Sequence, residues 1–165
     1  MSLADLLRTR IVVPLGLHHT TIAPPDLGSP ELRGYAMDAT GSKVDLTDEL
    51  VGFGDGGSGG IITTADELLQ IFHAVVSGRL LPPDLVRQME EPTEQSYLDY
   101  GLGLATYYLS CGKFYGHQGG VNGTASIAVF SSDGTSGVII ALNLRRTADP
   151  NLTAVAEQYL CGATA

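Results

Sequence analysis

The spacing of hydrophobic residues in the first part of the chain predicts helices. Between residues 68 and 76, apolar side chains recur at intervals of three and four, which places them on one face of an α-helix. Thr64 and Glu67 have the spacing of a capping box at the start of this helix, and Gly78 is of the type that ends one. A shorter helix is expected over residues 83–90, with proline at its first position.

After residue 99 the pattern becomes that of β-strands. Strands are expected at residues 102–109, 113–118, 124–131 and 136–143. Asp133-Gly134 is typical of a hairpin turn between the last two strands. Residues 138–142 are apolar without alternation, which is typical of a central strand covered on both faces. Asp149-Pro150 then predicts the start of a final helix.

Helices, then an antiparallel meander, then a packing helix form an α+β pattern. The expected fold is an antiparallel sheet of three to four strands with a C-terminal packing helix and a partial helical lobe. Residues 3–10 predict a short helix, or the tail of one, that Pro14 stops. Residues 18–58 are rich in glycine and proline and are expected to be mostly irregular. So long a loop inside a compact domain is usually either functional or wrongly assigned.

Charge and composition narrow the classes of partner. The chain has 165 residues, of which 44% are hydrophobic, so it fits one domain with a real core. Its net charge is −9, and its only lysines are Lys43 and Lys113. This balance opposes nucleic-acid binding, because that function needs a basic surface. The sequence has no run of about 18 apolar residues that would predict a membrane span.

Reactive side chains and glycines are concentrated in one stretch that follows the first predicted strand. In an extended strand, Tyr115, His117 and Gly119 would lie on one face because side-chain direction alternates. A histidine there can reach into a cleft, and the neighbouring glycines allow a backbone N–H to approach a small anionic group. The alternative is that His117 is hydrogen-bonded inside a packed sheet. Cys111 and Cys161 allow either one disulfide or two buried thiols.

Several short motifs occur in a fixed order along the chain. They are Tyr100-Gly101-Leu102-Gly103-Leu104, Leu109-Ser110-Cys111-Gly112, Gly116-His117-Gln118-Gly119 and a final Cys161-Gly162, with weaker matches at residues 10–17 and 59–64. This series resembles the serine penicillin-recognising enzymes, which include D-alanyl-D-alanine carboxypeptidases, class C-type β-lactamases and related esterases. The resemblance implies the C-terminal half of a β-lactamase/transpeptidase-like fold. It would be a single incomplete domain, with a partial helical lobe and loops over about 1–99 and the sheet and last helix over about 100–165.

The resemblance also implies a set of site residues. His117 would face the cleft as a hydrogen-bond donor and electrostatic partner, and Gly120 would offer its backbone N–H as half of an oxyanion hole. Substrate contacts are implied for Gln118, Gly119 and Asn122. A disulfide between Cys111 and Cys161 is implied as well, since secreted relatives tie this strand to the C-terminal helix.

The serine and lysine that carry this family's acyl-enzyme chemistry are not found in a suitable arrangement. Ser110 and Lys113 form the one Ser-x-x-Lys, but it spans a predicted turn with a glycine instead of a helical face. Residues 56–60 fit G-x-S-x-G without the strand and helix of a nucleophile elbow. No Tyr-x-Asn or Ser-x-Asn occurs. The chain is therefore expected to lack the nucleophile and to be inactive alone, as part of a serine hydrolase of D-Ala-D-Ala peptides, β-lactams or related esters and amides.

Two positions depart from the carboxypeptidases that the chain resembles. Gln118 stands where relatives often have a hydroxyl residue that binds the substrate carboxylate, and Ala105 stands where an arginine follows Gly-Leu-Gly-Leu. The sequence therefore leaves open that the chain belongs to an esterase or amidase of the same family. A non-catalytic binding or partner-interaction domain and an enzyme completed by a second polypeptide are open too.

The remaining expectations concern ligands, assembly and location. No cofactor or metal is expected, because the pair His18-His19 has no further ligands nearby in the sequence. In the family, N-terminal strands pair with the last strand, so a bare edge at 136–143 predicts a homo-oligomer. The chain itself shows no signal peptide, and its parent protein is expected to be secreted or extracytoplasmic.

Overall fold

The computed structural model describes residues 1–22, 32–50, 58–93, 99–121, 123–145 and 151–162. Its helices are α1 (Leu3–Leu7), α2 (Val13–Leu15), α3 (Ala65–Val76), α4 (Pro83–Glu90) and α5 (Leu152–Cys161), with a π-helical turn at Arg8–Val12 and a 3-10 helix at Thr47–Leu50. Its strands are β1 (Thr21–Ile22), β2 (Tyr35–Met37), β3 (Lys43–Asp45), β4 (Ile61–Ile62), β5 (Ala105–Leu109), β6 (Gly112–Val121), β7 (Thr124–Ser131), β8 (Gly137–Leu142) and β9 (Leu144–Arg145).

The largest sheet in the described part of the chain has the strand order β5-β6-β7-β8, with consecutive strands as neighbours. β5 and β6 pair antiparallel, with Leu109 opposite Gly112 at the turn and Ala105 opposite Gly116. Short β2 lies between β3, to which it is antiparallel, and β9, to which it is parallel, while β1 pairs antiparallel with β4. The α+β class, the four-stranded meander and the C-terminal helix are confirmed.

Most element bounds follow the sequence pattern, and the differences have local causes. α3, α4 and β7 lie where the pattern predicts them. β5 begins three residues later than expected, because Gly101 and Leu104 form a tight turn in which the Gly101 N–H donates to the Leu104 carbonyl at 2.8 Å. The first helical segment does not stop at Pro14, because this proline occupies the first turn of α2, where its missing N–H is tolerated. It ends at Gly16, which has φ of 66°.

Two further predictions need correction or fall outside the described residues. The apolar strand β8 is not central: it lies at the edge of its sheet among the residues that the structure describes. The last helix begins at Leu152 with Asn151 as its N-cap, whose side chain accepts a hydrogen bond from the Ala154 N–H. The expected start at Asp149-Pro150 falls outside the described residues.

Contacts within the chain divide it into two compact units. The first comprises Met1–Glu67, Gly119–Ser126 and Ala141–Asp149, and the second comprises Leu68–Gln118, Ile127–Ile140 and Pro150–Ala165.

In the first unit, the buried carboxylate of Glu67 binds the chain segment that precedes β1. It accepts hydrogen bonds from the backbone N–H groups of His18 and His19, at 2.7 and 2.9 Å, and from the Thr20 hydroxyl. The Thr64 hydroxyl accepts the Glu67 N–H at 3.3 Å, as a capping box requires. The carboxylate does not complete that box, because the three donors of the loop occupy it instead.

These donors determine the direction in which the pKa of the Glu67 carboxyl is shifted. Burial alone would raise the pKa of its carboxyl, but the hydrogen bonds from Thr20, His19 and His18 outweigh burial and hold the pKa below its ordinary value. The charged form of Glu67 therefore stabilises the folded first unit.

In the second unit, β7 is buried on both of its faces. Ile127 and Val129 are fully buried and pack on one side of the strand, in a cluster whose other buried members are Leu109, Phe114 and Ala156. Ala128 and Phe130 point the other way and pack against Val76 of α3. The Phe130 ring stacks on Phe72 at a centroid distance of 5.2 Å. The sheet is thus packed on α5 through one face and on α3 through the other.

A disulfide joins Cys111, in the turn between β5 and β6, to Cys161 at the end of α5. Next to it, the Ser110 N–H donates to the Glu157 carboxylate at 2.8 Å. Hydrogen bonding by the Ser110 side chain and by this backbone N–H lowers the pKa of that carboxyl. Of the two states that the sequence left open for the cysteines, the structure contains the disulfide. It closes a loop of 50 residues that includes β6, β7 and β8.

We expect Glu67→Gln to lower the thermal midpoint of unfolding by about 5 °C at neutral pH, because a neutral amide accepts these hydrogen bonds less strongly. A group whose folded pKa is lowered stabilises the fold above its unfolded pKa, near 4.5, and loses that contribution as pH falls through the folded pKa. The difference between variant and wild type should therefore shrink in acid. Thermal melts at several pH values measure it, with Glu91→Gln, at an exposed position, as control. Equal midpoints at neutral pH would contradict the assigned role.

Replacing both Cys111 and Cys161 by serine should lower the free energy of unfolding by up to about 4 kcal/mol, which is the chain-entropy estimate for a closed loop of 50 residues. Denaturant titration measures this loss. Reduced wild type should match the double variant, since both lack the cross-link. An unchanged unfolding midpoint in the double variant would show that the bridge does not constrain the unfolded chain.

Candidate active site

Strand β6 places His117 at the surface. Its neighbours Phe114, Tyr115 and Gly116 are buried, whereas residues from 117 to 120 are exposed. Because side chains alternate along the strand, Tyr115 and His117 project from one face and Phe114 projects into the α5 cluster on the other. The imidazole is therefore not sealed inside a packed sheet, which was the alternative that the sequence left open.

Within the described part of the chain, the imidazole has one side-chain hydrogen-bond partner, the phenol of Tyr100. His117 Nε2 lies 3.0 Å from the Tyr100 hydroxyl oxygen, and the two rings meet edge to face with an angle of 76° between their planes. In one tautomer of the ring, the phenol O–H donates a hydrogen bond to Nε2, and in the other, the Nε2–H donates to the phenol oxygen. The proton of this hydrogen bond can therefore be carried either by the phenol oxygen or by Nε2.

The motif Tyr-Gly-Leu-Gly-Leu explains why Tyr100 lies there. The Tyr100 carbonyl accepts a hydrogen bond from the Thr93 N–H at 3.0 Å, and Tyr100 bridges to Ala105 at the start of β5. Gly101 packs against the end of α4, where a side chain would overlap the Met89 carbonyl. The sequence identified the motif, but it gave no sign that this tyrosine would contact a histidine 17 positions further along the chain.

Gly116, immediately before His117, permits a close approach between β6 and β7. A methyl group at this position would overlap the carbonyl oxygen of Ala128 in β7. The absence of a side chain at Gly116 therefore fixes the path of the strand just before the histidine.

The other predicted site residues follow His117 along β6. Gln118, Gly119 and Gly120 are exposed. Strand alternation puts Gly119 on the same face as His117, and Gln118 and Gly120 on the opposite face. Asn122 lies outside the described residues, and after it Gly123 turns the chain with φ of 83°. The roles of these four residues in binding substrate or an oxyanion stay predictions.

Ser110 and Lys113 do not form a nucleophile–base pair of the helical type. Ser110 lies in the turn before β6, and Lys113 lies in the strand itself. The Lys113 ammonium is 5.0 Å from the centre of the Tyr115 ring, and its interaction with the Tyr115 side chain raises the pKa of the lysine. Lys113 is therefore held protonated, which makes it unsuited to act as a base.

The other candidate motifs form no reactive group among the residues that the structure describes. Ser58, the serine of G-x-S-x-G, is exposed in a bend before β4, while Gly56 and Gly57 fall outside the described residues. His18 and His19 contact Glu67 through their backbone. Among the described residues, no three His, Cys, Asp or Glu side chains are grouped so that they could hold a metal ion. None of the helices described has the length and apolar character to span a membrane.

Similar solved structures come from amidases and penicillin-binding protein homologues. A D-stereospecific amidohydrolase from Streptomyces sp. matches with a TM-score of 0.81 and 27% identity, over 97% of this chain and 48% of its own. D-amino acid amidase from Ochrobactrum anthropi SV3, complexed with L-phenylalanine amide, matches with a TM-score of 0.74 and 23% identity, over 91% of this chain and 46% of its own. The octameric penicillin-binding protein homologue from Pyrococcus abyssi matches with a TM-score of 0.76 and 18% identity, over 94% of this chain and 36% of its own.

The chain thus spans half or less of the length of these proteins, although nearly all of it superposes on them. Their shared fold is that of the serine β-lactamases and transpeptidases. The Beta-lactamase family model matches residues 1–159, and the chain belongs to this family of hydrolases.

Proposed function

We propose that the chain supplies the histidine side of a serine hydrolase pocket that cleaves D-Ala-D-Ala peptides, β-lactams or related esters and amides through an acyl-enzyme. The observation that carries this proposal is the exposed His117 imidazole, 3.0 Å from the Tyr100 hydroxyl on a glycine-rich strand. Membership of the beta-lactamase family supports the reaction class.

In the proposed reaction, a serine oxygen attacks the substrate carbonyl carbon, and the bond to the leaving nitrogen or oxygen breaks as that atom takes up a proton. The pair of Tyr100 and His117 is suited to hold or pass this proton, because phenol and imidazole both donate and accept. The Gly120 N–H would stabilise the oxyanion. Substrate contacts are proposed for Gln118, Gly119 and Asn122.

Among the possible substrates, the sequence favours amides or esters over a free terminal carboxylate. Ala105, which has no charge, stands opposite Gly116 in the β5–β6 register, one residue from His117. In the carboxypeptidases that the chain resembles, an arginine takes this place. The Streptomyces relative is by its name a D-stereospecific amidohydrolase, which supports the same preference.

We further propose that the chain is one incomplete domain, with residues 1–99 in a partial helical lobe, and that it is inactive alone. Its only Ser-x-x-Lys is the unsuitable Ser110 to Lys113. The Cys111–Cys161 disulfide supports an extracytoplasmic location, since such bonds persist in oxidising compartments. Self-association is proposed as well, and the Pyrococcus homologue is by its name octameric.

The first test is complementation. The chain alone should give no covalent adduct with a fluorescent penicillin or an activated ester, as judged by intact mass. Adding a polypeptide that carries the Ser-x-x-Lys and Tyr-x-Asn motifs should produce hydrolysis of D-phenylalanine amide. His117→Ala should then reduce the rate by about a hundredfold or more, because it removes a proton-transfer group.

His73→Ala is the matched control for that experiment, since His73 is also exposed but lies on α3. It should leave the rate unchanged. An adduct on Ser58 or Ser110 of the isolated chain would contradict the proposal that it has no nucleophile. Assembly without any hydrolysis would favour a non-catalytic binding domain.

A second test addresses Tyr100 in the chain as it is. Tyr100→Phe removes the partner of His117 Nε2, so the ratio of the two imidazole tautomers should change, and nitrogen-15 NMR of the ring measures this ratio. Tyr108→Phe is the control, because Tyr108 is exposed on β5 and its hydroxyl interacts with Asp99. An unchanged tautomer ratio in Tyr100→Phe would show that the phenol does not orient the ring.

A further inference from the structure

None of the residues in the first helical segment, which runs from Leu3 to Leu15 through α1, the π-helical turn and α2, is buried. Helices α3, α4 and α5 each contain at least one buried residue. Yet eight of the thirteen residues of the segment are alanine, valine, leucine or isoleucine. A helix with so much apolar surface is typical of a protein interior, so the composition of this segment predicts more burial than it has.

The segment has two apolar sides that differ in exposure. The inner side is half-buried, and its residues recur at intervals of three and four, as in the stripe of an amphipathic helix: Ala4, Leu7, Ile11 and Leu15. The outer face consists of Leu3, Leu6 and Val13, whose exposed fractions are 50%, 36% and 63%. Apolar side chains that stay this exposed on one helix are characteristic of a surface that binds another molecule.

Hydrogen bonds within the chain hold the segment in its helical form. The Ser2 hydroxyl accepts the Asp5 N–H at 3.1 Å, and the Asp5 carboxylate accepts the Ser2 N–H at 3.3 Å, which completes a capping box. At the other end, Gly16 is left-handed, and the N–H of buried Leu17 donates to the Val12 carbonyl at 3.0 Å. The outer face is therefore preformed, and a partner binds it without first having to order the helix.

Charge narrows the kinds of partner that fit the outer face. The segment itself contains Arg8, Arg10 and one aspartate, but the whole chain has a net charge of −9. An excess of negative charge is repelled by an anionic membrane surface, which opposes a membrane as the partner. A second copy of the chain brings the same excess of negative charge. A different polypeptide with an apolar surface is therefore favoured at this face.

The solved relatives indicate which polypeptide this is. The Streptomyces amidohydrolase matches 97% of this chain but over only 48% of its own length, so the larger part of that protein has no counterpart here. We propose that the outer face packs against a polypeptide that supplies the part of the beta-lactamase fold missing from this chain. The inference rests on the proposed function, because that function requires a second polypeptide with the nucleophile. It adds the surface through which the two polypeptides join.

Replacing Leu3 and Val13 together by glutamine tests this surface. The probe is the part of the Streptomyces amidohydrolase that this chain does not match, produced as a separate polypeptide. Titration calorimetry should show that the probe binds the wild type and binds Leu3→Gln/Val13→Gln about tenfold or more weakly, because two apolar contacts are lost. The matched control is Leu85→Gln/Tyr159→Gln, since these side chains are 41% and 75% exposed on α4 and α5. The control should bind the probe like the wild type.

Two further measurements keep the test decisive. Without the probe, both double variants should melt at the temperature of the wild type, because the replaced side chains are already exposed. Hydrogen exchange of the wild type needs no variant: the amides of residues 6–13 should exchange more slowly when the probe is bound. Hydrolysis is measured separately, so binding through this face without hydrolysis supports the surface and contradicts only the hydrolase proposal.

Three results would overturn the inference. The first is a wild type that does not bind the probe, and the second is binding that both double variants weaken equally or that neither weakens. The third is another occupant of the outer face. Retention of the chain alone on phosphatidylserine vesicles would assign the face to a membrane, and self-association that Leu3→Gln/Val13→Gln abolishes would assign it to a second copy.

Discussion

The burial of β7 on both faces is the constraint on which the second unit depends. Four consecutive residues from Ile127 to Phe130 are buried, so alternate side chains must be covered by different elements. Helix α5 covers one face and α3 the other. Burial of this kind stabilises by about 1.5 to 3 kcal/mol for each large apolar side chain, which is more than the roughly 0.5 to 1.5 kcal/mol of a typical hydrogen bond between neutral groups. The positions of β6 and β8 then follow from pairing with β7.

The candidate site results from the same packing. β6 is buried from Phe114 to Gly116 and exposed from His117 to Gly120, although the strand itself continues to Val121. The imidazole is consequently exposed while its backbone is held by a packed neighbour, with Gly116 pressed against β7. A rigid backbone with an exposed reactive side chain is the arrangement that catalytic and binding sites require. Tyr100 completes it from a turn that is itself fixed by Thr93, Ala105 and the end of α4.

The sequence predicted well those features that depend on local periodicity. α3 and α4 have apolar spacing and end signals within their own residues, and the hairpin at Asp133-Gly134 needs only its turn residues. It could not predict features set by distant contacts. The Glu67 side chain has the spacing of a capping box, yet its carboxylate is bound by three donors almost 50 residues earlier, because a buried carboxylate without donors costs more than an incomplete cap. The contact between Tyr100 and His117 is of the same type.

The wrong prediction for β8 shows which structural feature an apolar strand pattern indicates. Its uninterrupted hydrophobic run was interpreted as a central strand, and the structure puts it at an edge of the described sheet. Hydrophobicity on successive residues requires only that both faces be covered, and α3 and α5 cover them. The pattern gives no information about hydrogen-bonding neighbours, because those bonds are made by the backbone, which is nearly the same for every residue. A strand can therefore have two buried faces and still lie at the edge of the described sheet, as β8 does.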